Sequence, residues 1–305
     1  MLIDVSPVTL GTSALGRGIV PGSREEEGAV LDAIALFDGG HTLIDTSNNY
    51  ADGRSEEVLG LAIARRGGDS ARRIVTKVDR DPETGAFDRE RVLRSYEESR
   101  ARLGVERVGL LHLHDPYTIS FAQAEAPGGA IEAMVELRDS GAVDAIGIAA
   151  GPVPMVRRYV DTDQFDAVLV HNRFTLVDRS AEPLFANARR RGMLVFNAAP
   201  FGSGLLAAGA TGGARYHYSP AGPDLLAWTR QAELVCENAG VTLAAAALHF
   251  SLRGPFVDST IVGATNARRV AQLDALLGTE IPPHVWHELE ELGPAPSPID
   301  DREFE

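Results

Sequence analysis

Short apolar or β-branched runs alternate with longer stretches of helical period along almost the whole chain. Eight of the short runs predict strands: VTLGTS (8–13), TLIDTS (42–47), RIVTKV (73–78), VGLLHLH (108–114), AIGIAA (145–150), FDAVLVHN (165–172), LVFNAA (194–199) and DSTIVGA (258–264). Helical patterns lie between them, among them SREEEGAVLDAIALFD, SEEVLGLAIARR, DRERVLRSYEESRARLG, AIEAMVELRDSG and AEPLFANARRRG. Several open on Ser or Asp with Glu nearby and close on Gly, as helix capping requires. Strands that are apolar on both faces and separated by helices read as a parallel sheet. Eight such units predict an α/β fold, a (β/α)8 TIM barrel in one domain over residues 1–305. An open doubly wound sheet is the alternative, but no Gly-x-Gly-x-x-Gly stands between a strand and a helix. The spacing breaks after the seventh strand, where GSGLLAAGATGGARYHYSPAGPD is too long and Gly-rich for a plain connector and LLAWTRQAELVCENAG predicts an added helix. Long loops on this fold commonly serve the active site. A C-terminal helix follows the eighth strand, and PAPSPIDDREFE reads as an extended acidic tail.

Composition narrows the partners. Of 305 residues, 44% are hydrophobic and 24% charged, enough to bury a sizeable core. Acids outnumber bases 43 to 29, a net charge of −14. That is the wrong sign for nucleic acid or an anionic membrane, and it leaves small molecules as the expected partners of a monomer or homodimer. Cys236 is the only cysteine, and MLIDVSPVTLG lacks the basic and apolar regions of a signal peptide, so the expected location is cytoplasmic. The longest apolar stretch, around LAAAALHF, falls short of the ~18 residues that span a bilayer.

On such a barrel, catalytic groups come from the C-terminal ends of strands and the loops that follow. Asp45 ends the second predicted strand, Lys77 the third and His114 the fourth, so three titratable residues should converge at one mouth. His112 and His114 share a face at period two, and one of them is expected to pack in the core. Tyr50 sits in the loop leaving Asp45, before the Ser55-Glu56-Glu57 helix start, with enough chain to fold back over the mouth. A free tyrosine titrates near ~10, and an adjacent ammonium such as that of Lys77 lowers this value. Asp45 would hold the ammonium, and His114 would donate to a carbonyl or hydroxyl oxygen. This set suits hydride transfer, in which a nicotinamide takes the hydride and the protein the proton. No metal is expected.

These segments resemble the aldo-keto reductase family. IDTSNNYADGRSEEVLG is similar to its Asp, Tyr and Ser-Glu segment, IVTKV to its lysine strand and LHLHDP to its histidine strand, in the family's order. The resemblance implies a catalytic tetrad of Asp45, Tyr50, Lys77 and His114, with Tyr50 as acid and base. It also implies NADP or NAD, NADP slightly favoured, extended across the mouth without a Rossmann domain. NRFTLVDRSA, PFGSGLLAAG and the stretch from YHYSPAGPD to LAAAALHF look most like the aldose 1-dehydrogenase branch acting on L-fucose, D-threo-aldoses and L-galactose. That branch implies oxidation of a sugar at C1 to a lactone.

By matching position, the resemblance puts Thr12 and Asp45 at the nicotinamide end and His171 and Asn172 near its carboxamide. Pro200, Phe201, Gly202, Ser203 and Leu205 match the loop over the pyrophosphate, and Gly263, Ala264, Thr265, Arg269 and Gln272 match the adenosine end. Tyr216 and Tyr218 are expected to wall the substrate site. Three departures weaken cofactor contacts: Ala149-Ala150-Gly151 in place of a Ser-Asn pair, Ala198 in place of a stacking aromatic, and Leu273 in place of an adenine-contacting Asn. A lost hydrogen bond costs ~1 kcal/mol. The competing readings are a carbonyl reductase of secondary metabolism, a Schiff-base lyase using Lys77, and a non-catalytic nicotinamide-binding sensor.

Overall fold

The eight apolar runs pair side by side in a closed ring in the computed structural model, which describes residues 3–67 and 70–304. In chain order the strands are β1 (Val8–Gly11), β2 (Ile44–Asp45), β3 (Ile74–Val78), β4 (Val108–His114), β5 (Val143–Ala150), β6 (Ala167–His171) and β7 (Leu194–Ala198), then β8 (Arg215–Tyr216) and β9 (Ser219–Pro220), and finally β10 (Ser259–Gly263). The barrel runs β1-β10-β7-β6-β5-β4-β3-β2 with every pair parallel, while β8 and β9 form a separate antiparallel ribbon in the long connection after β7. β2 is shorter than its sequence run, yet the chain keeps following β3 beyond it: Thr46 N donates to Val75 O and Asn48 N to Lys77 O.

Period two decides which side chains fill the barrel. Val75 on β3 and Leu110 on β4 point inward with Leu43, Leu169, Leu194, Phe196 and Ile261, whereas Ile74, Val78, Leu111 and Leu113 pack outward under the helices. Lys77 and His112 are register partners on the inward face, one step above Val75 and Leu110. The interior is therefore an apolar plug with a titratable layer on top.

The helices are α1 (Arg24–Asp38), α2 (Arg54–Arg66), α3 (Arg89–Leu103), α4 (Phe121–Glu125), α5 (Ala130–Asp139), α6 (Val153–Val160), α7 (Glu182–Arg190), α8 (Leu205–Ala208), α9 (Pro223–Asn238), α10 (Leu243–Leu252), α11 (Ala267–Leu277) and α12 (Pro283–Glu291). The expected caps hold for α1, where Ser23 accepts from Glu26 N, and for α3, which opens on Asp88 and closes on Gly104 at φ 67°. α2 differs. It starts after Gly53, and Ser55 lies one step inside, its hydroxyl bonded to those of Thr12 and Thr46 at 2.9 Å each. Ser55 is thus a buried tie between two strand ends and not a cap.

The acidic tail is not simply extended into solvent. Ser297 donates to Asp178, Asp301 pairs with Arg173 at 2.6 Å, and Phe304 packs on Tyr117. No single helix among the described residues is long and apolar enough to cross a membrane.

α2 and α3 meet closely at Gly60, where a Cβ would overlap the Arg102 carbonyl oxygen. Backbone cannot yield as a side chain can, so Gly60→Ala should destabilise the fold by about 1–3 kcal/mol, read as a lower urea midpoint with an unchanged slope.

Candidate active site

The loop from Ser47 to Gly53 turns back on itself. Tyr50 N donates to Ser47 O and Gly53 N to Tyr50 O, and Ala51, Asp52 and Gly53 all take positive φ. This tight return carries the Tyr50 phenol over the end of β3. Beneath it, Lys77 Nζ donates to Asp45 Oδ1 at 2.7 Å, to the Thr46 carbonyl at 2.6 Å and to Tyr50 Oη at 3.1 Å. An ammonium has three protons, and all three are placed. Because the phenol oxygen accepts from Lys77, its own proton is free to face the cleft.

Lys77 is 1% exposed. Burial opposes its charge, but the Asp45 carboxylate and Tyr50 outweigh that and its pKa is raised. Burial likewise pushes the Tyr50 phenol above its ordinary value, and Lys77 only partly offsets the rise. The expectation of an acidified phenol is therefore corrected: at neutral pH Tyr50 holds its proton.

On the other side, His114 Nδ1 lies 2.7 Å from Asp79 Oδ1 and 3.2 Å from Ser47 Oγ, which leaves Nε2 toward the cleft. Burial opposes the imidazolium, the Asp79 and Asp115 carboxylates together outweigh burial, and the His114 pKa is raised. Asp79 is pushed up by burial and pulled down more strongly by His114, Ser47 and Lys77 together. Its second oxygen accepts from Ser47 and from Asn49 N. The His114 ring stands edge-on to Tyr50, centroids 5.9 Å apart. His112 is the packed histidine of the two. Burial keeps it neutral, its ring is edge-on to Phe196, and Gly147 makes its room, since a Cβ there would overlap it.

Asp45, Tyr50, Lys77 and His114 share one cleft of about 410 Å³ with Arg17, Asn49, Asp115, Ala149, Leu169, His171, Ala198, Phe201, Tyr218 and Gly263. Another cavity, lined by His41, Arg73 and Gly109, offers no comparable chemistry, because the Arg73 guanidinium is committed to the carbonyls of Phe37, His41 and Thr42.

A family model described as the aldo/keto reductase family matches residues 7–294. The chain belongs to the aldo/keto reductase family. It is similar to pyridoxal 4-dehydrogenase of Microbacterium luteolum, 28% identical with 95% of each chain covered. It is 32% identical to D-threo-aldose 1-dehydrogenase of a Pseudomonas species, covering 90% of each, and 30% identical to L-galactose dehydrogenase of Arabidopsis thaliana, covering 88% of this chain and 83% of that one. Among solved structures, the fold matches an aldo-keto reductase of Bacillus halodurans in its holo form, with a TM-score of 0.77 and 21% identity over 98% of this chain and 95% of that one. As an aldo/keto reductase it is an NAD(P)-dependent oxidoreductase.

Within this aldo/keto reductase, the remaining residues singled out in the sequence divide by where their side chains point. His171, Pro200, Phe201, Tyr218 and Gly263 line the cleft. Ser203 and Gly202 lie on the adjoining turn at φ 55° and 51°. Arg269 and Gln272 are exposed on α11, with Thr265 just before it. Asn172 is buried behind the cleft wall at φ 61°, with Nδ2 3.0 Å from His171 Nδ1. Leu205 and Ala264 are buried in the core, so only their backbone is near the loops.

Three assignments change. Thr12 turns away from the cleft, its hydroxyl donating to Asp45 O at 2.8 Å and bonded to Ser55. Tyr216 is 0% exposed, packs under Gly202 and hydrogen-bonds Thr175 and Asn172 O, so it props the loop and cannot wall the substrate site. Tyr218, 62% exposed, does stand at the mouth. Leu273 is 3% exposed, a core position of α11 and not a vacated ligand contact. The Ala149-Ala150-Gly151 segment makes room of a different kind: a Cβ on Gly151 would overlap the Arg173 guanidinium, which Asp301 holds.

Sequence reasoning missed Asp79 and Asp115. The signal was in view, since Asp79 lies two residues beyond Lys77 and Asp115 directly follows His114. A strand-end residue and its neighbours two apart share a face.

The Asp79–His114 pair carries a pH signature. His114, raised when folded, adds stability that is lost as pH rises through its folded pKa. Asp79, lowered when folded, adds stability that is lost as pH falls through its own. The stability gap between wild type and Asp79→Asn should therefore be widest between the two ordinary values, ~3.9 and ~6.5, and narrow on both sides in urea titrations across pH.

Proposed function

We propose that this chain oxidises an aldose at its anomeric carbon to the lactone with NADP or NAD, NADP slightly preferred. The observation that carries the reading is the convergence of Lys77, Tyr50 and His114 on one cleft, with the ammonium fixed by Asp45. A bound nicotinamide would supply the acceptor for the hydride that leaves C1. Tyr50 Oη takes the proton of the C1 hydroxyl, Lys77 stabilises the phenolate that does so, and His114 Nε2 donates to the same substrate oxygen. One C–H and one O–H bond are broken and the C1–O double bond is formed. The names of the D-threo-aldose and L-galactose relatives support the substrate class.

Several residues suit a dinucleotide. The turn from Ala199 to Gly204 places Ala199, Gly202, Ser203 and Gly204 at positive φ, and backbone of that shape can present N–H groups to a pyrophosphate. Phe201 and Gly263 border the same cleft, and Arg269 and Gln272 stand exposed on the first turns of α11, whose free N–H groups and dipole favour a phosphate. His171 lines the cleft, and in this reading it meets the carboxamide. The exposed pair Arg268 and Arg269 supports NADP by offering a 2′-phosphate two guanidinium groups.

Reduction of a small carbonyl is the second reading, and the raised pKa of Tyr50 favours it, because a protonated phenol is a proton donor. A Schiff-base role for Lys77 is disfavoured: its nitrogen is held as an ammonium with all three protons engaged.

A panel of pentoses, hexoses and 6-deoxyhexoses with each nicotinamide, followed by absorbance, tests the reaction; turnover of no aldose with either would reject it. Tyr50→Phe should bind nicotinamide normally by fluorescence yet lose kcat by at least ~10². The raised phenol pKa also sets the pH profile. Oxidation needs the deprotonated form and should climb with pH through the alkaline range, whereas reduction should stay level at neutral pH and fall at high pH.

A further inference from the structure

Asp115 lies in the cleft next to the catalytic cluster but takes no part in the proton chemistry just described. Its backbone sits at φ 44°, a conformation few side chains favour, and is held there by Asp115 N donating to Ala149 O and Tyr117 N donating to Asp115 O. The side chain is thereby aimed between two histidines. Oδ1 is buried on the His171 side, 3.8 Å from His171 Nε2, and Oδ2 is 3.7 Å from His114 Nε2. Burial raises its pKa, but His114, His171 and the Tyr117 hydroxyl together lower it further, so the group is ionised. A buried carboxylate needs donors on its open side, and Asp115 lines the cleft beside His114, where substrate must sit.

A carboxylate edge in the cleft accepts from hydroxyl donors, which a polyhydroxylated molecule supplies. The raised His114 and the Lys77 ammonium leave little room for a further cation, and a carboxylate repels an anion, so neutral hydroxyls are the fitting partners. The reacting oxygen is held by Tyr50 and His114. Vicinal oxygens of a diol lie about as far apart as two hydrogen-bonded atoms, and Asp115 Oδ2 is a short step from His114 Nε2. Resting on the aldose reading above, we propose that Asp115 is a specificity-determining residue whose carboxylate accepts a hydrogen bond from the hydroxyl on C2, the carbon next to the one that reacts.

The test compares L-galactose, L-fucose, D-galactose and D-ribose, each beside its 2-deoxy counterpart, in wild type, Asp115→Gly and Asp115→Asn. Glycine adopts φ 44° freely and asparagine tolerates it, so both variants keep the local backbone. Removing Asp115 also alters the charge around His114, but that change acts on both members of a sugar pair, and the ratio of their kcat/KM values cancels it. Wild type should prefer the 2-hydroxy sugar by at least about 10-fold, the scale of a hydrogen bond to a charged group. Asp115→Gly should bring the pair to within about twofold, with Asp115→Asn between. The same preference in the glycine variant, or none in wild type, overturns the assignment while leaving the aldose reading standing. If no aldose turns over but benzaldehyde is reduced, the aldose reading falls and this inference with it.

Discussion

The site depends on one buried ion pair. Asp45 and Lys77 meet at 2.7 Å at the top of an apolar barrel, where neither charge has water to fall back on. Desolvating two ions is recovered only with close geometry and full hydrogen bonding, and removing one partner of such a pair costs about 3–5 kcal/mol. Here the Thr46 carbonyl and the Tyr50 hydroxyl take the two remaining ammonium protons. The pair joins the ends of β2 and β3 and fixes the loop that carries the phenol. Charge, loop shape and proton position are thus set by a single nitrogen.

Around it lies a polar collar that the barrel interior could not supply. Asp79 orients His114, while Asn48 anchors the returning loop to α3 through Ser95 O and Glu98. Glu56 on α2 accepts from Thr76 on β3 and pairs with Arg102 on α3. Each of these buried polar groups is held by a partner from another element, so the collar positions side chains at the cost of tolerance to substitution. The close passage of α2 over α3 at Gly60 serves the same end by bringing Arg102 within reach of Glu56 and the Asn48 carbonyl.

Period two and the position of titratable residues at strand ends were enough to read the barrel and to bring Asp45, Lys77 and His114 together. Tyr50 followed from loop length and from the family resemblance. What escaped was the direction of side chains where no period applies. Tyr216 ends the first strand of a two-stranded ribbon and Tyr218 lies in its turn, and nothing local tells which one is buried. Thr12 and Ser55 look like a strand-end residue and a helix cap until the fold sets their hydroxyls against each other. Leu273 looked like a missing contact because a matched position does not reveal its helix face. The small residues at 149–151 make sense only with Arg173 and Asp301 in place, 128 positions apart.

That last contact bears on how the protein is made. Arg173 is 2% exposed in the loop after β6, and its carboxylate partner is among the last residues described. During synthesis the guanidinium must wait through two barrel strands and half of the helices before Asp301 emerges from the ribosome. The rim beside Tyr117 and His217 is therefore a part of the molecule that closes only once Asp301, 128 residues beyond Arg173, reaches it.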